Sequence, residues 1–244
     1  MAAAHSFITT DLSTDTNMSA HADPLYTSPF RLPLIAILRG ITPGETLAHV
    51  QALVDEGYDA IEIPLNSPDW ADSIGAAART FGDRAWIGGG TVLRERDVDA
   101  LEALGARFIV TPNTRPELIR YAVNRGLRVV AGFATASEAF AAIDAGAQML
   151  KLFPASVYGP DLIRALRAVL PPLPLFVVGG VNPATLHGYL SAGSTGAGIG
   201  GELYKPGQPV ERTRDSAREF RQAYLEHSSA KPASSGHASM DSAS

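Results

Sequence analysis

The chain has 244 residues, 45% of them hydrophobic, enough for one core of the size a closed α/β barrel needs. Its formal net charge is -5 and its lysines and arginines are scattered, so it lacks the basic stripe of a nucleic-acid binder, and DNA and RNA are not expected partners. The absence of cysteine excludes disulfides, thiolate metal sites and cysteine nucleophiles and fits a reducing cytoplasm, and no segment reaches the apolar length of a membrane span.

Residues 1–28 mix Ser, Thr, Asp, Asn and Ala without periodicity and carry no Lys or Arg. They are expected to form a disordered tail, as is the Ser/Ala/Gly/Pro-rich stretch 227–244, leaving 29–226 as the folded domain. Within that domain short apolar runs alternate with amphipathic stretches. Strands are predicted at 33–39, 60–64, 85–88, 108–111, 128–131, 148–153, 175–178 and 196–199. Helices are predicted at 43–56, 69–81, 95–104, 116–124, 137–144, 160–169, 183–191 and 210–226, opened by Pro, Ser or Asp and followed by Gly57, Gly105, Gly126, Gly146 and Gly193. Eight strand-helix units with continuous apolar strands predict a closed parallel (β/α)8 barrel of the TIM type. The competing open doubly wound sheet lacks its GxGxxG after the first strand, and Gly88-Gly89-Gly90 reads only as a glycine cluster ending the third.

In such a barrel the active site forms at the C-terminal ends of the strands, and the polar residues collect there. Arg39 ends the first strand, Glu62 lies late in the second, Thr91 follows the third, Thr111-Pro112-Asn113 follows the fourth and Lys151 is late in the sixth. Strand alternation puts Lys151 on one side with Phe153, Glu62 with Ala60, and Arg39 with Ile35 and Ile37. A lysine in the apolar run Gln148-Met149-Leu150-Lys151-Leu152-Phe153 is either salt-bridged at a strand end or desolvated into a neutral amine able to attack a carbonyl. Glu62 is then either a buried ion-pair partner or a proton shuttle. Arg39 either pairs with Glu62 or grips a substrate carboxylate.

The pairs Gly179-Gly180 and Gly200-Gly201 end the seventh and eighth strands, where bare backbone amides build phosphate sites in many barrels; the alternative is two tight turns. A phosphorylated substrate follows from the first use. The histidines show no metal-ligand spacing: four fall in the tails, and His49 and His187 are expected on helix surfaces.

The segments PLIAILRGITPGE, AIEIPLNSPDW, IGGGTVL, FIVTPNT, AGAQMLKLFPAS, FVVGGVNP and GAGIGGELY together resemble the 2-keto-3-deoxy-6-phosphogalactonate aldolases, close sisters of the phosphogluconate aldolases, over 32–226. The resemblance implies a metal- and cofactor-free class I aldolase that splits a small phosphorylated 2-keto-3-deoxy sugar acid into pyruvate and glyceraldehyde 3-phosphate, commonly as a trimer. It carries the imine lysine onto Lys151, the proton-transferring glutamate onto Glu62, and the carboxylate-binding pair onto Arg39 and Thr91. Pro112 and Phe153 match wall residues, and Gly179, Gly180, Gly200 and Gly201 the phosphate loops. Gly201 stands where relatives commonly have Ser. Val178 precedes the first glycine pair where the gluconate-type sister has Thr, which favours the galactonate type.

Overall fold

The computed structural model describes residues 27–230, so 1–26 and 231–244, most of the two expected tails, lie outside the described residues. Eight parallel strands close in chain order: β1 (Leu34–Ile37), β2 (Ala60–Pro64), β3 (Trp86–Gly90), β4 (Phe108–Val110), β5 (Arg128–Phe133), β6 (Met149–Leu152), β7 (Leu175–Val178) and β8 (Gly196–Ile199). The helices α1 (Pro43–Asp55), α2 (Trp70–Phe81), α3 (Glu95–Ala103), α4 (Pro116–Asn124), α5 (Ala136–Asp144), α6 (Ala155–Arg167), α7 (Pro183–Ser191) and α8 (Val210–Ala230) follow them in turn. This is the predicted (β/α)8 barrel. No described helix is long and apolar enough to cross a membrane.

Several boundaries differ from the sequence expectation. α6 starts at Ala155 rather than Pro160, because a helical turn precedes a kink at Gly159 (φ 69°, ψ 178°) and Pro160 restarts the helix beyond it. β3 is shifted to 86–90 and β5 runs on to Phe133, where the β6 partner Leu152 continues the ladder. α8 passes Glu226 to Ala230, and Ser228 and Ser229 donate their hydroxyls to the carbonyls of Tyr224 and Leu225. His227 therefore belongs to a helix and not to a tail. His49, expected at the surface, is buried in α1.

Two apolar layers result. The outward strand residues pack under the helices, whereas Ile35, Ile37, Ala60, Phe108, Val110, Val130, Met149, Phe176 and Val178 fill the barrel interior. β8 contributes glycines to that interior for a steric reason. A Cβ at Gly198 would stand 2.8 Å from Val178 Cγ2 and 3.2 Å from Ile37 Cδ1, and one at Gly196 would overlap Pro33 O. Side chains from β1 and β7 thus occupy the space that β8 leaves.

Phe30 closes the N-terminal end of the barrel, its ring 5.5 Å from Phe108 and 5.9 Å from both Trp86 and Phe176. Burying such a ring stabilises by roughly 2–3 kcal/mol, provided the preceding backbone is held in place. Asp59 holds it: its carboxylate accepts from Arg31 N at 2.8 Å, Leu32 N at 3.3 Å and Arg31 Nε at 3.2 Å. The Arg31 side chain is 78% exposed, so solvent screens the ion pair and the two amide bonds carry the effect. Asp59→Ala should therefore cost about 2–4 kcal/mol, lowering Tm by several degrees, while Arg31→Ala should stay within about 0.5 kcal/mol. Equal losses from the two variants in thermal unfolding would show that the ion pair matters and the amides do not.

Candidate active site

Lys151 points into the interior on the same side of β6 as Met149 and lies at the C-terminal end of the barrel, only 5% exposed. Its ammonium nitrogen makes no ion pair or hydrogen bond among the described residues and stands over the Phe153 ring, whose centroid is 5.3 Å away. The strand-end salt bridge that the sequence left open is not formed. Burial pushes the Lys151 pKa down, the negative charge of Glu62 opposes the shift, and the positive charge of Arg39 adds to it. The shift favours the neutral amine, the form that can act as a nucleophile.

Glu62 is 1% exposed on β2, in register with Ile37 of β1 and Gly88 of β3. Its Oε1 has no hydrogen-bond partner among the described residues, and burial raises its pKa against the opposing charges of Lys151 and Arg39. The glycine run of β3 explains how a carboxylate fits there. A Cβ at Gly90 would overlap Glu62 Oε1, so Gly90 is a cradle for the carboxyl group and not merely the end of a glycine cluster. Gly88 similarly yields to the Phe108 ring. The requirement was invisible in the sequence because it belongs to the neighbouring strand.

β1 stops at Ile37, so Arg39 lies just past the strand and not at its end, and its guanidinium is exposed at the mouth. Two oxygens aim it. Nη1 donates to Asn66 Oδ1 at 2.8 Å and reaches Thr91 Oγ1 at 3.5 Å. Ser67 Oγ accepts from Gly40 N at 2.9 Å, so the Asn66-Ser67 pair after β2 anchors the turn that carries Arg39. Neither residue was singled out from the sequence, although both lie in the EIPLNSP segment. Thr91 adopts φ 59°, a left-handed conformation costly for a β-branched residue, and this backbone brings its hydroxyl to Arg39. Pro112 is half-buried where the β4 loop meets β5; a Cβ at Gly132, the register partner of Lys151, would press on the Pro112 backbone at 2.5 Å.

A cavity of about 230 Å³ opens at this end, lined by Ile37, Arg39, Phe153, Val178, Val181, Gly198, the two glycine pairs and the exposed Glu202. Lys151, Glu62, Thr91 and Pro112 do not line it, and Phe153 and Arg39 join it to them. The pairs differ. Gly179 (φ 95°) and Gly180 (φ 74°) need glycine for their backbone, and a Cβ at Gly180 would strike Ser156 at 2.5 Å. Gly200 and Gly201 have neither constraint: their φ values are ordinary and a Cβ would enter open space. The amides of Gly180, Gly200 and Gly201 donate to no carbonyl among the described residues. Free N–H groups around a small cavity are what an oxyanion needs. Among the described residues, no group of three His, Asp or Glu side chains is placed to hold a metal ion.

The family profile of the KDPG and KHG aldolases matches residues 30–215. The chain is 56% identical over 197 residues to the 2-dehydro-3-deoxy-6-phosphogalactonate aldolase of Escherichia coli K12, covering 80% of this chain and 96% of the relative. It is 33% identical over 217 residues to a 2-dehydro-3-deoxy-phosphogluconate aldolase of Pseudomonas aeruginosa, covering 86% and 96% respectively. A solved structure described as native KDPGal superposes with a TM-score of 0.81 at 56% identity, over 82% of this chain and 97% of its own.

The unpaired burial of Lys151 and Glu62 has a thermodynamic signature. Glu62 keeps its proton to higher pH in the fold than in the unfolded chain, so above its ordinary value of 4.5 stability falls as pH rises to the folded value. Lys151 loses its proton earlier in the fold, so stability rises with pH from the folded value up to the ordinary 10.5. At neutral pH the lysine is a net cost that an apolar side chain of similar length removes. Lys151→Met should raise Tm at pH 7 by about 2–4 °C, corresponding to ~1 kcal/mol. A lower Tm, measured by calorimetry, would mean that Lys151 contributes favourable interactions which the geometry does not contain.

Proposed function

The chain belongs to the KDPG and KHG aldolase family, and from that premise we propose that it is a Schiff-base lyase cleaving 2-dehydro-3-deoxy-6-phosphogalactonate into pyruvate and glyceraldehyde 3-phosphate. The observation that carries the reading is Lys151, buried at the barrel mouth without an anionic partner in contact. Its neutral amine attacks the C2 ketone, and loss of water gives a protonated imine. Glu62, cradled by Gly90, takes the C4 hydroxyl proton, directly or through water. The C3–C4 electrons flow into the imine, the aldehyde leaves, and protonation of the enamine followed by hydrolysis frees pyruvate and the lysine.

Arg39 and Thr91 hold the carboxylate of the pyruvyl portion, the guanidinium having been aimed by Asn66. Pro112 and Phe153 wall the reacting carbons. The phosphate is received by the amides of Gly179, Gly180, Gly200 and Gly201, without the hydroxyl that Ser would add at position 201. The bonds made and broken need only these side chains and water. The exposed apolar Val157 and Tyr158 of α6 support a homo-oligomer, a trimer by family resemblance, whose mass light scattering measures.

Galactonate is preferred over its C4 epimer gluconate because Val178, at the interior face of β7 beside Gly198, offers no hydroxyl where the gluconate type has Thr. Val178→Thr should move the ratio of kcat/KM for the two epimers toward gluconate by roughly two- to tenfold, the worth of one neutral hydrogen bond. A fixed ratio with both values reduced would mean that position 178 shapes the pocket without reading C4.

Borohydride with pyruvate should add mass to Lys151 in the wild type and nothing in Lys151→Ala, whose cleavage rate should fall by several orders of magnitude. Glu62→Gln should still trap pyruvate yet turn over slowly. An isomerase built on the same barrel, with Lys151 only an electrostatic stabiliser, would show no trapping and no pyruvate release.

A further inference from the structure

The loop 200–209 between β8 and α8 begins at the Gly200-Gly201 pair and is closed by side chains that the aldol chemistry does not use. Leu203 N and Tyr204 N both donate to Gly200 O, at 2.8 and 2.9 Å, which makes the pair the start of a tight turn. Gln208 then spans the loop. Its Nε2 donates to Leu203 O at 2.9 Å and to Thr213 Oγ1 at 2.7 Å, while its Oε1 accepts from Lys205 N at 3.0 Å.

Thr213, fully buried in α8, passes the connection to α1, its Oγ1 lying 2.8 Å from His49 Nδ1. The Thr213 hydroxyl, which accepts from Gln208 and has a second lone pair and a hydrogen to spare, can serve Nδ1 of either imidazole tautomer. Burial favours the neutral imidazole by pushing the His49 pKa down, with the Glu45 charge opposing. The His49 ring also stands edge-on to Tyr204, with centroids 5.0 Å apart. Pro206, in the same loop, covers the turn beside Arg39: a Cβ at Gly40 would lie 2.7 Å from Pro206 Cγ. The loop is thus bound to α1, to α8 and to the turn after β1 at once.

We propose that Gln208, Thr213 and His49 are positioning residues for the phosphate end of the substrate, a clasp that holds the Gly200 and Gly201 amides in their receiving geometry before the substrate arrives. The assignment rests on the aldolase reading above. A loop of glycines that had to be ordered on binding would lose affinity to conformational entropy, whereas a loop fixed by a buried chain of hydrogen bonds does not. The clasp touches no reacting atom, so it sets affinity for the phosphorylated aldehyde and leaves imine chemistry alone.

The test is condensation of pyruvate with glyceraldehyde 3-phosphate and, separately, with unphosphorylated glyceraldehyde. Gln208→Met keeps the length of Gln without adding charge but loses its hydrogen bonds, and Thr213→Val keeps the shape but loses the hydroxyl. Each should raise KM for the phosphorylated aldehyde roughly 3- to 10-fold while kcat, and kcat/KM for the unphosphorylated one, stay within about twofold; Thr213→Ser should match the wild type. Inorganic phosphate should raise the Tm of the wild type and of Thr213→Ser more than that of Thr213→Val, a readout that needs no catalysis. Absence of pyruvate trapping in the wild type would defeat the aldolase reading, and the phosphate shift would then still decide the clasp. Equal losses on both aldehydes, or a phosphate shift and KM unchanged in folded Thr213→Val, would overturn the proposal.

Discussion

Desolvation without pairing is the constraint on which the site depends. Lys151 and Glu62 each lie out of water at the mouth of the barrel, close enough to feel one another's charge and yet in no ion pair. Had they met in a salt bridge, the lysine would hold its proton and the carboxylate would cease to be a base. Kept apart, each shifts toward its neutral form, the amine toward a nucleophile and the carboxyl toward a stronger base than a solvated glutamate. Such an arrangement destabilises the fold, and the surrounding strands over-determine it.

Three neighbouring features enforce the separation. Gly90 gives the Glu62 carboxyl a pocket on the β3 side, so it need not reach toward β6. Asn66 and Thr91 engage the Arg39 guanidinium, which leaves Glu62 without an arginine contact and keeps the cation at the mouth. Phe153 covers Lys151 from the solvent side and also reaches the glycine cavity, where a Cβ at Gly179 would stand 3.2 Å from its ring. The same aromatic side chain therefore lies against both the amine and the glycine-lined cavity. At the opposite end Phe30 fills the barrel against Phe108 and Phe176.

Much of this was legible in the sequence. Period and spacing located all eight strands, and an isolated lysine in an apolar run identified Lys151, because both signals are local. What escaped was what depends on a neighbouring element. Gly90 is read correctly only beside Glu62, and His49 looks like a surface helix residue until Thr213 and Tyr204 are seen to cover it. The early start of α6 required a kink at Gly159 that a Gly-Pro pair suggests but does not place. Phe30, in the run preceding the first strand, became a barrel plug only through Asp59, 29 positions along the chain.

The central claim, that burial and not pairing governs the Lys151 amine, is tested most directly by the pH dependence of imine formation. The rate of pyruvate imine accumulation on Lys151 can be followed by rapid borohydride quench from about pH 6 to about pH 11. The rate should level off well below the ordinary lysine value of 10.5, and at still lower pH in Glu62→Gln, where the charge that raises the amine's pKa is gone. A rate that climbs through 10.5 in both proteins would contradict the account, because Lys151 would then behave as a solvated or salt-bridged lysine.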